Sequence, residues 1–350
     1  MKSYRWVRRS ALLSLVALPV LLSACGWGGK DEASGAIDPP QVDYEAGWNM
    51  DDWIDAEVMA TTAETAPVTV YVEDPHGYVV PVGLRLPAEA GIARLVLQHM
   101  VDGGPATELL PAGFRPLLPK GTDVLGLDIR NGSAIVDFSE AFTSYNSRDE
   151  RKIIEAVTWA MTGFPTIERV QLWVEGRPLK DMPVNETPVD VPLTRDIGIN
   201  IESSPGLNMA QAAPVTLYFM NETEEDYRYY VPVTRLVAHT GDMADLAVAE
   251  LIRGPLPGST LFGVINPETQ LLDVQASGDL VTVNFADQLL QHGVSTPEQA
   301  LEALVLSVTE QTGAAKVQVM INGQAAQLES PSTNYAAPVT RPSRLNPLGI

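Results

Sequence analysis

Asn131-Gly132-Ser133-Ala134-Ile135-Val136-Asp137-Phe138 reads as a tight turn feeding a strand, and the chain writes it again about 147 residues later. The second version is Ser277-Gly278-Asp279-Leu280-Val281-Thr282-Val283-Asn284-Phe285. Asn-Gly is a strong hairpin signal. In the second version Val281, Val283 and Phe285 alternate with Thr282 and Asn284, the period of a half-buried strand. Just upstream, Leu125, Leu127 and Ile129 share one face of a partner strand, reached through the Pro119–Thr122 loop. Before that, Ile92, Leu95, Val96 and Met100 recur at helical spacing until Gly104-Pro105 ends the run. Val248, Leu251 and Ile252 do the same before Gly254-Pro255.

Further outward the match continues. Pro67–Tyr71 returns as Pro214–Tyr218, and Tyr78–Val82 as Tyr230–Val233. Each pair predicts two strands, joined by Glu73–Gly77 in one copy and by the acidic Asn221–Asp226 in the other. Downstream, Ser147-Arg148-Asp149-Glu150 and Ser295-Thr296-Pro297-Glu298 have the form of capping boxes. They open helices with apolar faces at Ile153, Ile154, Val157 and Met161, and at Leu301, Leu304, Val305 and Val308. Val170–Val174 and Val317–Ile321 are the last strands. Even the tails agree: Pro192–Arg195 with Asn200, and Pro338–Arg341 with Asn346. Each copy is β-β-α-β-β-α-β. Helices that bury one stripe belong on one face of a sheet, so the fold expected is α+β: two tandem repeats, each a small, mainly antiparallel sheet with two helices on one face. The repeats span 67–200 and 214–346, with 201–213 as linker.

The start of the chain carries a different signal. Lys2, Arg5, Arg8 and Arg9 precede an apolar run, Ser10–Leu22, too short for an ordinary membrane span. The run leads into Leu22-Ser23-Ala24-Cys25, a bacterial lipobox, and Cys25 is the only cysteine in 350 residues. Residues 1–24 are therefore expected as a lipoprotein signal peptide. Cys25 is expected as the lipidated first residue, which anchors the chain to the bilayer without spanning it. No thiol is then left for a disulfide, a metal or nucleophilic catalysis. Loss of the four cations takes the net charge from −21 to about −25, which argues against nucleic acid as a partner. Residues 25–66 form an acidic tether, with a reach of roughly 35 Å as a coil and about 130 Å stretched. It contains an acidic-aromatic patch around Trp48 and Trp53, suited to a partner or to folding back on its own domain.

A search for reactive groups returns little. His76, His99, His239 and His292 do not match between copies, and none has metal-ligand spacing. No nucleophile elbow or phosphate loop is present. Asp137 and Glu140 suggest a carboxylate pair, but Asn284 and Asp287 stand in the other copy, and strand-end acids commonly organise turns. The acidic 222–226 run lacks a calcium-loop pattern. The matched polar pair is Arg195 and Arg341, each able to fork onto a carboxylate. An intradomain clasp is the favoured reading, with a domain junction or a partner contact as alternatives. No catalytic residue, metal or cofactor is expected.

The succession of Gly-Pro helix stop, Pro119-Lys120-Gly121-Thr122, Asn131–Ser139 and Val170–Gly176, doubled behind a lipobox, resembles the GerM domain family. The second copy departs from the pattern at Asn284 and Ala286, and at Glu268-Thr269. The resemblance implies modules similar to the ring-building units of secretins and of the sporulation channel. It implies a lipoprotein of sporulation and germination on the extracytoplasmic face of the cell membrane, a non-enzymatic scaffold. Such a scaffold helps localise other sporulation-channel or cell-wall proteins, with a ring or other oligomer left open. The competing reading is a protein that binds or hydrolyses spore peptidoglycan. A solute-binding lipoprotein fits two compact sequential copies poorly.

Overall fold

The computed structural model describes residues 64–88, 90–286, 297–327 and 333–348. The lipobox with Leu22, Ser23, Ala24 and Cys25, the tether with Trp48 and Trp53, His292, Asp287 and Ser295 lie outside the described residues.

Alternating apolar residues and a polar turn make the first hairpin, β1 (Thr65–Glu73) with β2 (Val79–Pro87). Asp74 closes its turn by accepting from the backbone N–H groups of His76 and Tyr78. Helix α1 (Ile92–His99) follows and buries Ala93, Val96 and Leu97. Next come the two-residue β3 (Arg115–Pro116), β4 (Val124–Arg130) and β5 (Ser133–Phe138). Asn131 and Gly132 take positive φ at the β4–β5 turn, as a tight primed turn requires. Helix α2 (Glu150–Met161) crosses to β6 (Arg169–Val174), which runs parallel to β5 and is followed by β7 (Arg177–Pro178). A parallel pair needs such a crossover.

The second repeat follows the same plan. A short β8 (Glu202–Ser203) precedes the hairpin β9 (Ala212–Glu222) and β10 (Arg228–Ala238). Then come α3 (Met243–Arg253), β11 (Leu271–Ser277), β12 (Leu280–Phe285), α4 (Pro297–Thr312), β13 (Lys316–Ile321), β14 (Gln324–Ala325) and β15 (Val339–Thr340). Again the strands flanking the second helix, β12 and β13, are parallel.

The α+β class, the repeats and the β-β-α-β-β-α-β order stand. The expectation of one sheet per repeat is corrected: the strands of each copy divide between two sheets. One is built on the hairpin (β2-β1-β3, and β8-β10-β9). The other runs β4-β5-β6-β7, and β11-β12-β13-β14 with β15 on β13. The cause is the long connection after the first helix, which carries the chain away from the hairpin before pairing resumes. The second helix packs on the first hairpin strand in both copies and so binds the two sheets together. One further correction concerns the first capping box. Ser147–Asp149 is a 3-10 turn, and Asp149 at the N-cap makes no side-chain cap bond. Glu150 turns instead into the 184–187 loop. It accepts from the N–H groups of Val184, Asn185 and Thr187 and from the hydroxyls of Tyr145 and Thr187.

One apolar cluster runs through both copies, from Val68 to Leu348. Residues 201–213, placed between the repeats, are not free of them. Glu202 and Ser203 pair with Arg235 and Leu236 of β10.

Candidate interaction site at the repeat junction

The two matched tails end on asparagines, and each asparagine ties the hairpins of both repeats. Asn200 accepts from the N–H of Val79 and donates to the carbonyls of Val79 and Pro232. Asn346 accepts from the N–H of Tyr230 and donates to the carbonyls of Tyr230 and Pro81. The pattern is two-fold: each tail holds its own hairpin at one residue and the other hairpin at the matching proline. Proline suits that place, because an edge facing an amide NH2 needs a carbonyl and no N–H of its own. Both asparagines take positive φ, 48° and 50°, a region Asn tolerates better than most residues. On this register Val79 is the counterpart of Tyr230, so the tyrosine match read from the sequence shifts by one residue, to Tyr78 with Tyr229.

Around this centre the copies diverge to fit each other. The Asp74 side chain is fully buried and accepts from the Tyr229 hydroxyl at 2.8 Å and from Asn221 at 3.3 Å. Phe114 lies edge-on to Tyr229, with ring centroids 5.0 Å apart. Thr234 accepts from Ile199 N–H through its hydroxyl, and its own N–H donates to the Ile199 carbonyl. The matching position in β2 is Gly83, where a Cβ would stand 2.8 Å from the Leu345 carbonyl oxygen.

The structure brings Arg195 and Arg341 together on one carboxylate, Glu310 of α4. Arg195 reaches it from the first repeat at 2.5 Å, and Arg341 from the second at 2.9 Å. Arg341 is thus an intradomain clasp, while Arg195 crosses the junction. Arg195 also donates to Thr162, which occupies in α2 the place Glu310 holds in α4, and lies 4.5 Å over the Trp159 ring. Tyr218 donates to Glu310 and accepts from Arg341. Burial alone would raise the Glu310 pKa; the two guanidiniums and the bonds from Arg195 and Tyr218 outweigh it and hold the carboxyl below its ordinary 4.5. Glu310 stood unremarked on the helix face, because nothing in a helical period says that a carboxylate four turns in will face two arginines of the tails.

The residues weighed for chemistry serve the backbone. Both carboxylate oxygens of Asp137 accept from the Gly176 N–H. In the other copy the Asn284 side chain accepts from the matching Gly323 N–H at 2.9 Å, so the position needs an acceptor, not a charge. His99 donates to the Leu95 carbonyl and His76 pairs with Asn221. In the acidic hairpin tip, Glu222 pairs with Arg228 and the Thr223 hydroxyl accepts from the N–H groups of Glu225 and Tyr227. Among the described residues no group of three or more His, Cys, Asp and Glu is placed to hold a metal. Sequence reasoning also missed Arg235. It is fully buried in β10 and paired with Glu202 and Glu250; its counterpart in β2 is the apolar Leu84, so the repeat pattern marked the site as core.

A duplicated α+β framework with its conserved polar residues spent on its own junction defines a tandem-module protein. Residues 69–180 and 216–327 match the model of the Germane family, described as sporulation and spore germination. The chain belongs to this family. It is 35% identical over 347 residues to the spore germination protein GerM of Bacillus subtilis (strain 168), covering 93% of this chain and 94% of that one. The solved structure of the tandem GerMN domains of the sporulation protein GerM from Bacillus subtilis is similar at a TM-score of 0.74 and 36% identity. That match covers 82% of this chain and all of that one.

Proposed function

We propose that this chain is a lipid-anchored extracytoplasmic protein of sporulation and germination, a non-enzymatic scaffold that binds and helps localise the partner proteins of a trans-envelope assembly. The sporulation role follows its family and its relative's name. The observation that carries the non-enzymatic reading is the interchange of Asp137 and Asn284 in the same backbone contact. A catalytic acid would not be replaced by an amide that keeps the structure and loses the proton. The anchor is Cys25 behind Leu22, Ser23 and Ala24, which two or more acyl chains hold at the bilayer. No helix among the described residues is long and apolar enough to cross a membrane. The partners are sporulation-channel or cell-wall proteins, and Arg195 serves this role by tying the first repeat to Glu310 of the second, where Arg341 clasps the same carboxylate.

Fractionation of sporulating cells tests the anchor: Cys25→Ala moves the protein from membrane to soluble fraction, and full retention on membranes refutes it. Crosslinking in intact cells tests the scaffold, with specific neighbours expected to be captured. Incubation with purified spore wall decides against the competing reading. Soluble fragments that disappear on Asp137→Ala would make the protein a hydrolase.

A further inference from the structure

The second repeat holds a cleft of about 1010 Å³ between α4, the start of β13, the tip of β10 and the tail after β15. On a chain of net charge −21 its lining is locally reversed. Arg228, Lys316, Arg341 and Arg344 line it, against the single carboxylate of Glu302. Two of these cations are already committed, Arg228 to Glu222 and Arg341 to Glu310. Lys316 and Arg344 meet no carboxylate among the described residues within ion-pair distance. Tyr227, Tyr230 and Tyr335 supply aromatic walls, and Tyr230 donates to Glu302 at 3.0 Å, which fixes that acid to the floor.

The duplication separates scaffold from addition. What the fold needs recurs in both copies, as the two asparagines and Pro81 and Pro232 do. The cleft chemistry recurs only in part: Arg169 and Arg195 stand at the positions of Lys316 and Arg341, and the rest is particular to the second repeat. In the first repeat the positions of Arg228, Tyr230, Glu302 and Arg344 hold Gly77, Val79, Ile154 and Gly198. The first repeat therefore builds the same framework without these four side chains.

The cleft also presents backbone. β15 lines it and pairs with β13, and with no other strand among the described residues. Pro338 and Pro342 bracket this edge and limit it to a short contact. A free strand edge offers N–H and C=O groups to an extended peptide. A phosphodiester polymer can accept from the N–H groups of that edge but has no amide N–H for its carbonyls, whereas a peptide matches both.

We propose that this cleft is a docking site for an extended acidic peptide segment of a partner protein. The segment's carboxylates face Lys316 and Arg344, and its backbone lies along β15. The proposal rests on the reading of the protein as a binder and names the partner chemistry for one of its surfaces.

The test is fluorescence anisotropy with the full chain and a labelled six-residue peptide of alternating glutamate and valine. Extended, that peptide places all its carboxylates on one side. Wild type is expected to bind it at low salt and to release it as salt rises. The double variant Lys316→Glu with Arg344→Glu is expected to bind at least about tenfold more weakly, and the Gln pair to an intermediate degree. Lys120→Glu, on the first repeat, is expected to change nothing. Thermal melts confirm that the variants fold; should the Glu pair not fold, the Gln pair decides. Absence of binding by wild type, or equal binding by the folded double variant, overturns the proposal. Tighter binding of poly(glycerol phosphate) at the same residues would also overturn it, assigning the cleft to that polymer. A failure here leaves partner crosslinking in cells untouched, whereas release of spore-wall fragments would count against the scaffold reading and not against this site.

Discussion

Replacing Glu310 by glutamine keeps the shape of the junction and removes the one charge that holds two arginines. Glu310 has 6% of its side chain exposed; Arg195 and Arg341 have 32% and 34%. Breaking a fully buried pair costs about 3–5 kcal/mol, and an exposed one about 0–1. With one partner buried and two guanidiniums a third exposed, and an amide oxygen still present to accept, Glu310→Gln should cost about 2–3 kcal/mol. For a domain of this size that is a fall in Tm of roughly 4–10 °C, read by calorimetry at pH 7. The sign of the pH dependence follows from the lowered pKa. A carboxylate depressed in the folded state contributes stability that is fully present above its unfolded value of 4.5 and lost as pH falls through the folded value. The gap between wild type and variant should therefore hold from pH 7 to about 5 and close only on further acidification. A cycle with Arg195→Met should show coupling above about 0.5 kcal/mol, because that pair spans the repeats. No Tm difference at pH 7, a gap unchanged at low pH, or additive single variants would refute the shared clasp.

Gly83→Ala drives a Cβ into the Leu345 carbonyl, so a urea midpoint shift equivalent to about 1–3 kcal/mol is expected; no shift means that the tail gives way freely. Asn346→Ala strips three buried bonds and leaves the Tyr230 N–H and the Pro81 carbonyl unmet, at about 2–4 kcal/mol by the same measurement. Asp137→Asn should be near neutral, within about 0.5 kcal/mol, because Asn284 already fills that role; a large loss would show that the charge itself is needed. Glu302 runs opposite to Glu310. Burial raises its pKa, the Tyr230 hydrogen bond lowers it, and Glu298 raises it. The group therefore costs stability as pH rises above 4.5, and Glu302→Gln should gain on wild type between pH 5 and 7 in a denaturation series.

The internal repeat, the α+β class and the element order were legible in the residues themselves. Hydrophobic period and turn chemistry are local properties, and Asn131-Gly132 or the Val281–Phe285 alternation announces its strand without help. The matched arginines were legible too, as a recurrence. Their target was not. Glu310, Asp74 and the two crossing asparagines acquire meaning only when residues 32 to 265 positions apart meet across the repeats. A helical wheel cannot tell a solvated carboxylate from one facing another repeat. The same holds for the division of each copy into two sheets. Strand propensity says that a segment will pair, whereas which strand it pairs with depends on where the long connection carries the chain. In this protein the sequence determined the pieces and their doubling, because those are set within a turn or two of backbone. Tertiary packing alone decided that two copies share one core, one carboxylate and an uneven distribution of charge.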